Sequence, residues 1–258
     1  MNKLINALFN INYIEELARR DQWLNRINSL VKLLVTIVYI VSVASIGKYD
    51  IDVLLLYGVY PILVLITGDL PIRSMWQKMI IPVFFGASLG ILNPFLDTNV
   101  IALSGDIVIS AGWLSFLILF IKSMFSMLAA LLLVSTTTIE EIASAFSQLK
   151  VPQIITIQFL LMFRYITILV GELDRTITAY SMRSGGQRSI DFSAWGSLMG
   201  QMFLRASDRS IRLYESMKLR GFEGQSFVGS SRKLHIVDGV YLTFWMSVFG
   251  AFIAMRIT

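Results

Sequence analysis

Apolar residues in this chain come in long runs separated by short polar breaks, not at the alternating or three-to-four spacing of a water-soluble core. The first run, residues 30–46, is close to the minimum for crossing a hydrocarbon layer of about 30 Å at 1.5 Å per residue. Lys32 lies near enough to its start to snorkel toward headgroups. Gly47-Lys48-Tyr49-Asp50 reads as a turn, and residues 51–67 form a second run with Pro61 inside it, a kink that neighbouring helices can tolerate in lipid. A shorter run, 79–92, follows the basic residues Arg73 and Lys78. It is broken by Asn93-Pro94 and reads as either a tilted span or a partly re-entrant segment, the span being favoured. Residues 97–112 contain two small β-prone runs around Ser104-Gly105, which predicts an external hairpin. The strongest run is 113–134. Its Lys122 falls at mid-membrane depth, where an ammonium either tethers a neighbouring helix or lines a wet path. Residues 236–255 form the last run, with Asp238 and Gly239 near its start.

Between the last two runs the pattern changes. Ser135-Thr136-Thr137-Thr138-Ile139-Glu140-Glu141 combines capping hydroxyls with acids where a helix dipole is positive. That helix should stop near Leu149, ahead of Pro152. A second helix, 153–183, is apolar over 154–170 and polar from Glu172, Asp174 and Arg175 onward, so it should leave the bilayer obliquely. A third, 195–220, carries an apolar stripe at Met199, Phe203, Ala206, Ser210, Leu213 and Met217, with Arg205, Arg209 and Arg212 on another face. Asp208 stands one turn before Arg212, the spacing of an intrahelical pair. Both long helices end in arginine followed closely by glycine: Met182-Arg183-Ser184-Gly185-Gly186 and Leu219-Arg220-Gly221-Phe222.

Composition sets the solvent. Of 258 residues 55% are hydrophobic and 15% charged, more apolar surface than a soluble core of this size needs, so the partner is a lipid bilayer. The net charge of +5 resides in loops and reads as membrane topology, not as nucleic-acid binding. Basic residues crowd 1–32, the loop with Arg73 and Lys78, and 150–233, while the other side holds Lys48 and Arg256. The expectation is an all-α, multi-pass protein of the cell membrane with about five transmembrane helices and a cytoplasmic N-terminus. Its organisation is 1–134, leader and spans; 135–233, a cytoplasmic or interfacial coupling-helix module; and 234–258, the last span. Residues 1–29 read as a polar leader with a short amphipathic helix over 13–20. Glu15, Glu16, Arg19, Arg20 and Asp21 argue against a cleaved signal.

Chemistry is sparse. There is no cysteine and one histidine, His235, so a thiolate site or a resident transition-metal centre is not expected. No G-x-x-x-x-G-K-[ST] loop is present for ATP. Asp69, Asp97, Asp106 and Asp238 lie at loop or run ends without paired-carboxylate spacing. The glycines Gly86 and Gly90 form a small-xxx-small pair expected to pack helices. Catalysis and cofactors are therefore not expected. Taken singly, Arg220-Gly221 is an ordinary helix stop, a cation on the C-terminal dipole followed by a residue free to turn left-handed. Two successive long helices ending alike point equally to rigid basic tips that dock a partner.

At these residues the sequence resembles the transmembrane coupling (T) component of energy-coupling factor (ECF) transporters, most closely the cobalt-type CbiQ family. Ser216-Met217-Lys218-Leu219-Arg220-Gly221-Phe222 is similar to the second of that family's two Ala-Arg-Gly-like motifs. Met182-Arg183-Ser184 corresponds to the first, with alanine and glycine both replaced. Further similar stretches are 21–32, Thr136-Thr137 with Glu140-Glu141, Leu149 with Val151-Pro152, and Phe163-Arg164-Tyr165 with Glu172.

The resemblance implies a non-catalytic permease subunit joining two ATP-binding-cassette ATPase subunits to a separate substrate-binding S component for cobalt or nickel. It also implies ATPase docking through Arg183, Ser184 and Gly185 at one tip and Leu219, Arg220 and Gly221 at the other. Two other classes compete with it. One is a self-contained secondary transporter or channel lined by Lys122 with Asp106 or Asp238. The other is a membrane enzyme using His235 or Glu140.

Overall fold

The computed structural model describes residues 16–19, 22–47, 50–68, 72–96, 100–103, 107–184, 191–222 and 235–257. Its helices are α1 Ser29–Ser45, α2 Ile51–Tyr57, α3 Val59–Thr67, α4 Ile72–Gly90, the single turn α5 Asn93–Leu96, α6 Ala111–Thr136, α7 Ile139–Gln148, α8 Gln153–Arg183, α9 Phe192–Leu219 and α10 Ile236–Ile257. Strands β1 Val100–Leu103 and β2 Ile107–Ser110 pair antiparallel, with Val100 opposite Ser110 and Leu103 opposite Ile107. This is the hairpin expected from the two β-prone runs. Its turn lies outside the described residues, as do residues 13–15 and 20 of the leader helix expected over 13–20.

The chain divides into two compact units, one comprising Leu17–Thr138 with Arg232–Thr258, the other Met1–Glu16 with Ile139–Ser231. In the first, α1 to α6 and α10 pack around an aromatic cluster. Tyr39 lies against Tyr60 at 4.6 Å and Phe249 at 5.7 Å, and Tyr60 meets Trp245 edge-on at 4.7 Å. The outward faces stay apolar: Val41, Ile62 and Ile66, and Trp76, Ile80 and Phe84 at one-turn intervals on α4, are all exposed. Aliphatic and aromatic side chains covering the outside of a helical unit are what a bilayer, not water, stabilises. Among the described residues three helices are long and apolar enough to cross a membrane: Ala111–Thr136, Gln153–Arg183 and Ile236–Met255, with Ser29–Ser45 and Ile51–Thr67 as shorter apolar helices.

The run with Pro61 is two helices, broken at Gly58. Proline has no N–H to give to the carbonyl four residues earlier, and that carbonyl, Tyr57 O, instead accepts from the Tyr39 hydroxyl at 3.1 Å. The third run starts earlier than its hydropathy suggests: α4 begins at Ile72, because its polar first turns are helical without being apolar. Gly86 and Gly90 pack this helix on α6 as expected. A Cβ at Gly86 would lie 2.5 Å from Ser123 Cβ, and one at Gly90 would lie 3.1 Å from both Leu119 and Phe116.

Three charged side chains serve helix ends. Lys32 does not snorkel: it is 4% exposed, and its Nζ donates to Thr136 O, at the end of α6, at 2.6 Å. A carbonyl that α6 cannot satisfy internally, 104 residues away in the sequence, offers a better partner than the headgroup region. Lys122 takes the tether role, donating to the carbonyls of Ile46 and, at 3.5 Å, Ala44, just where α1 ends. Asp238 is 3% exposed; its Oδ1 accepts from Asn28 N–H and its Oδ2 from His235 N–H, each at 2.8 Å.

The stretch around Asn28 is likewise no loose leader. Leu24, Asn25, Ile27 and Asn28 are all buried. Asn25 Nδ2 donates to the carbonyls of Leu17 and Ala18, and Asn28 Oδ1 caps α1 by accepting from Leu30 N–H at 2.9 Å.

Asp238→Ala would leave two backbone N–H groups without their acceptor, at a cost of about 2–4 kcal/mol. Thermal unfolding of the detergent-solubilised chain should show this drop, with a smaller one for Asp238→Asn, which keeps an acceptor oxygen. Gly86→Ala should cost about 1–3 kcal/mol through the clash with Ser123. Adding Ser123→Gly should recover stability in the same assay, whereas Ser123→Gly alone should only destabilise.

Candidate functional site: two basic tips on crossing helices

The second unit is built on turns that stop helices sharply. At the end of α7, Lys150 adopts a left-handed conformation with φ 60°. Val151 N–H reaches Phe146 O at 3.2 Å and Lys150 N–H reaches Ser147 O at 3.1 Å, the paired bonds of a Schellman cap. Pro152 then caps the start of α8, and Phe146 packs edge-on against Phe159 at 5.8 Å, fixing α7 beside α8.

Helix α8 runs unbroken for 31 residues and α9 for 28. Over its first half α8 exposes Ile154, Ile155, Met162 and Ile166, and its polar half begins at Glu172. There it meets α9: Arg209 Nη2 donates to Glu172 Oε1 in an ion pair whose side chains are 33% and 22% exposed. The pairing is therefore between helices, where the sequence had suggested Asp208 with Arg212 along one helix. On one side of this contact the C-terminal half of α8 faces the N-terminal half of α9, and on the other side the reverse holds. The two helices cross antiparallel.

Only part of the apolar stripe on α9 is covered by α8. Ala206, Ser210, Leu213 and Met217 do face α8, but Met199 and Phe203 are exposed, and Leu198, 7% exposed, takes the inward place nearer the N-terminus. The face presented to α8 rotates along a helix that crosses its neighbour instead of running beside it.

Each tip has a defined geometry. Arg183 is the last residue of α8 and is exposed. Ser184 caps it, with its N–H donating to Tyr180 O at 3.0 Å and its hydroxyl to Ser181 O at 3.3 Å. Gly185 lies outside the described residues. At the other tip Leu219 is 90% exposed and Arg220, the cap residue, is exposed. Gly221 has φ 82°, and Phe222 N–H donates to Met217 O while Gly221 N–H donates to Lys218 O, both at 3.0 Å. This is the left-handed glycine stop read from Arg220-Gly221. It turns the chain away and leaves the Arg220 side chain in solvent. Arg183 stands eleven residues beyond Glu172, and Arg220 eleven beyond Arg209, so the tips are equally distant from the crossing.

Two grooves flank the crossing. One, of about 680 Å³, has among its lining Arg175, Arg183, Arg205, Arg209 and Arg212, with Glu172 as its carboxylate. The other, of about 310 Å³, is mostly apolar, with Leu161, Met162, Leu169, Leu213 and Met217. Neither groove was foreseen. The arginines at i, i+4 and i+7 from Arg205 were the available signal, but which helix faced them was not. Among the described residues no three His, Cys, Asp or Glu side chains converge as a metal site.

Exposed apolar helices in one unit, and in the other two long crossing helices with basic ends, define a helical membrane protein. The chain belongs to the CbiQ family, described as cobalt transport protein, whose pattern matches residues 20–229. It is similar to the nickel permease LarQ of Lactiplantibacillus plantarum, 24% identical over 121 residues, which are 47% of this chain and 44% of LarQ. It is also similar to an uncharacterized protein of Methanocaldococcus jannaschii, 27% identical over 110 residues, 42% of this chain and 41% of that one. The similarity spans under half the length of either relative.

Replacing Gly221 by alanine should fray the tip, since a left-handed alanine costs about 1–2 kcal/mol. Hydrogen exchange should rise at residues 217–222 and stay unchanged across 153–170. A protected tip in the variant would contradict the cap described.

Proposed function

We propose that this chain is the coupling subunit of an ATP-driven importer of the energy-coupling factor type, itself without catalytic activity. Two ATP-binding-cassette subunits dock on its tips, one on Arg183 with Ser184 and Gly185, the other on Arg220 with Leu219 and Gly221. A separate S component binds the metal and rests on the exposed apolar residues of α8 and α9. The cargo is cobalt, as the family's description has it, or nickel, as the name of LarQ has it. The chain crosses the cell membrane about five times with its N-terminus in the cytoplasm, a topology that rests on the distribution of basic residues.

The observation that carries this reading is the placement of Arg183 and Arg220, both exposed and equally far from one ion-paired crossing. Two like subunits need two like contacts. A guanidinium at a rigid helix end offers a fixed, bidentate donor to acids in a groove of each. Of the rival path residues, Lys122 and Asp238 hold backbone groups at helix ends, and Asp106 lies outside the described residues.

Replacing Arg183 and Arg220 together by glutamate should abolish co-purification of the ATPase pair and ATP-driven metal uptake, while the chain still accumulates in the membrane. Normal transport by the double variant would refute the docking role.

A further inference from the structure

The coupling role leaves the charges at the crossing unexplained. Glu172 is the one carboxylate among the described residues that line the larger groove, against Arg175 and Arg183 on α8 and Arg205, Arg209 and Arg212 on α9. It is ion-paired with Arg209, and the other four arginines form no ion pair among the described residues. Further carboxylates stand near but outside. Asp208 has the spacing to pair with Arg205 and Arg212, and Glu215 with Arg212, yet both are exposed and neither lines the groove. Asp174 is likewise outside the lining, and Asp191, exposed, accepts from the Tyr180 hydroxyl at 3.5 Å. Exposed acids soften these arginines only through water, where one pair contributes little. Glu172 acts from within.

Guanidiniums brought to one groove by two helices push those helices apart, and like charges along a concave wall reinforce one another. Little else among the described residues fixes the angle at which the helices cross. On the other side of the ion pair, Ala206 and Leu213 are apolar, and Ser210 turns its hydroxyl back to its own helix, onto Ser207 O at 2.8 Å. Apolar contacts hold two helices together without setting their direction. We propose that Glu172 is a positioning residue for transport: its carboxylate offsets the arginines between the helices and so sets the crossing angle, and with it the placement of Arg183 relative to Arg220. The transport half of this rests on the coupling role proposed above; the angle itself does not.

The chain has no cysteine, so two introduced ones label it uniquely. Met182→Cys on α8 and Ser193→Cys on α9, both at exposed positions, stand ten residues beyond Glu172 and sixteen before Arg209. With arms of about 15 and 24 Å, a ten-degree opening of the groove parts them by about 3 Å. Double electron–electron resonance on the spin-labelled full chain in mild detergent should show that increase for Glu172→Gln. Arg209→Gln should shift the distance less, because it removes a repelling charge along with the pair, and the double variant should lie closer to wild type than Glu172→Gln alone. Glu172→Asp keeps the carboxylate and should restore most of the wild-type distance. Raising the salt from about 0.1 to about 1 M, which shortens the screening length from about 10 to about 3 Å, should close the Glu172→Gln crossing again.

In the assembled transporter Glu172→Gln leaves both tips intact, so the ATPase pair should still co-purify while metal uptake per ATP hydrolysed falls severalfold, with recovery in Glu172→Asp. An unchanged distance in Glu172→Gln, or a change that salt does not reverse, would overturn the inference. Full uptake per ATP by an opened variant would do the same, and so would loss of the ATPase pair from Glu172→Gln, which would assign Glu172 to folding or docking. The two readings fail separately. The distance is read on the chain alone, so normal transport by the double glutamate variant of Arg183 and Arg220 would refute docking and leave the angle standing.

Discussion

Lys32, Lys122 and Asp238 are ionisable side chains in an apolar helical unit, and each one meets the end of a helix whose backbone groups have the complementary polarity. The two ammonium groups sit on C-terminal carbonyls, of α6 at Thr136 and of α1 at Ala44 and Ile46. The carboxylate sits on N–H groups at the starts of α1 and α10. A helix leaves four such groups unsatisfied at each end, and water is not available to take them up inside a bilayer. Charges placed this way answer two costs at once, the desolvated ion and the orphaned peptide group, and the helix dipole adds to both. The aromatic cluster of Tyr39, Tyr57, Tyr60 and Phe249 can then pack without polar compromise, because even the carbonyl freed by Pro61 has the Tyr39 hydroxyl as donor.

The unit with the basic tips follows a different economy. Its helices touch along little of their length, and their first-half surfaces are largely exposed and apolar. What defines their relation is one ion pair at the crossing, with Schellman caps holding the chain reversal before α8 and the tip after α9. A module stabilised by local turns and a single crossing contact can change its angle without repacking a core, the opposite of the aromatic unit.

Much of this was legible because hydropathy and punctuation are local. The limits of α8 match the reading to the residue, since Pro152 begins it and the Arg183 stretch ends it. The hairpin around Ser104-Gly105 and the close approach at Gly86 were equally visible, one from alternation and turn residues, the other from small-residue spacing. What failed was non-local. Lys32 looked like a snorkelling residue because its acceptor lies 104 positions away. Asn25 and Asn28 looked like a solvated leader, although both are buried, Asn25 donating to the carbonyls of Leu17 and Ala18 and Asn28 capping the start of α1. The apolar stripe of α9 did not say which of its residues another helix would cover, and a crossing helix covers only part of any stripe, leaving Phe203 exposed. At the tips, Gly221 announced its own conformation, whereas the equal spacing of the two arginines emerged only once Glu172 and Arg209 were seen to touch.

That equal spacing has a mechanical meaning. Each arginine sits at the end of an arm of roughly 16 Å at 1.5 Å per residue, so a rotation of about ten degrees around the crossing moves each tip by about 3 Å, in opposite directions. The pair is a balanced beam with its fulcrum at the Glu172–Arg209 contact. Equal arms give neither tip a mechanical advantage over the other, so whatever part of a displacement the crossing transmits reaches the far arginine neither amplified nor reduced by leverage.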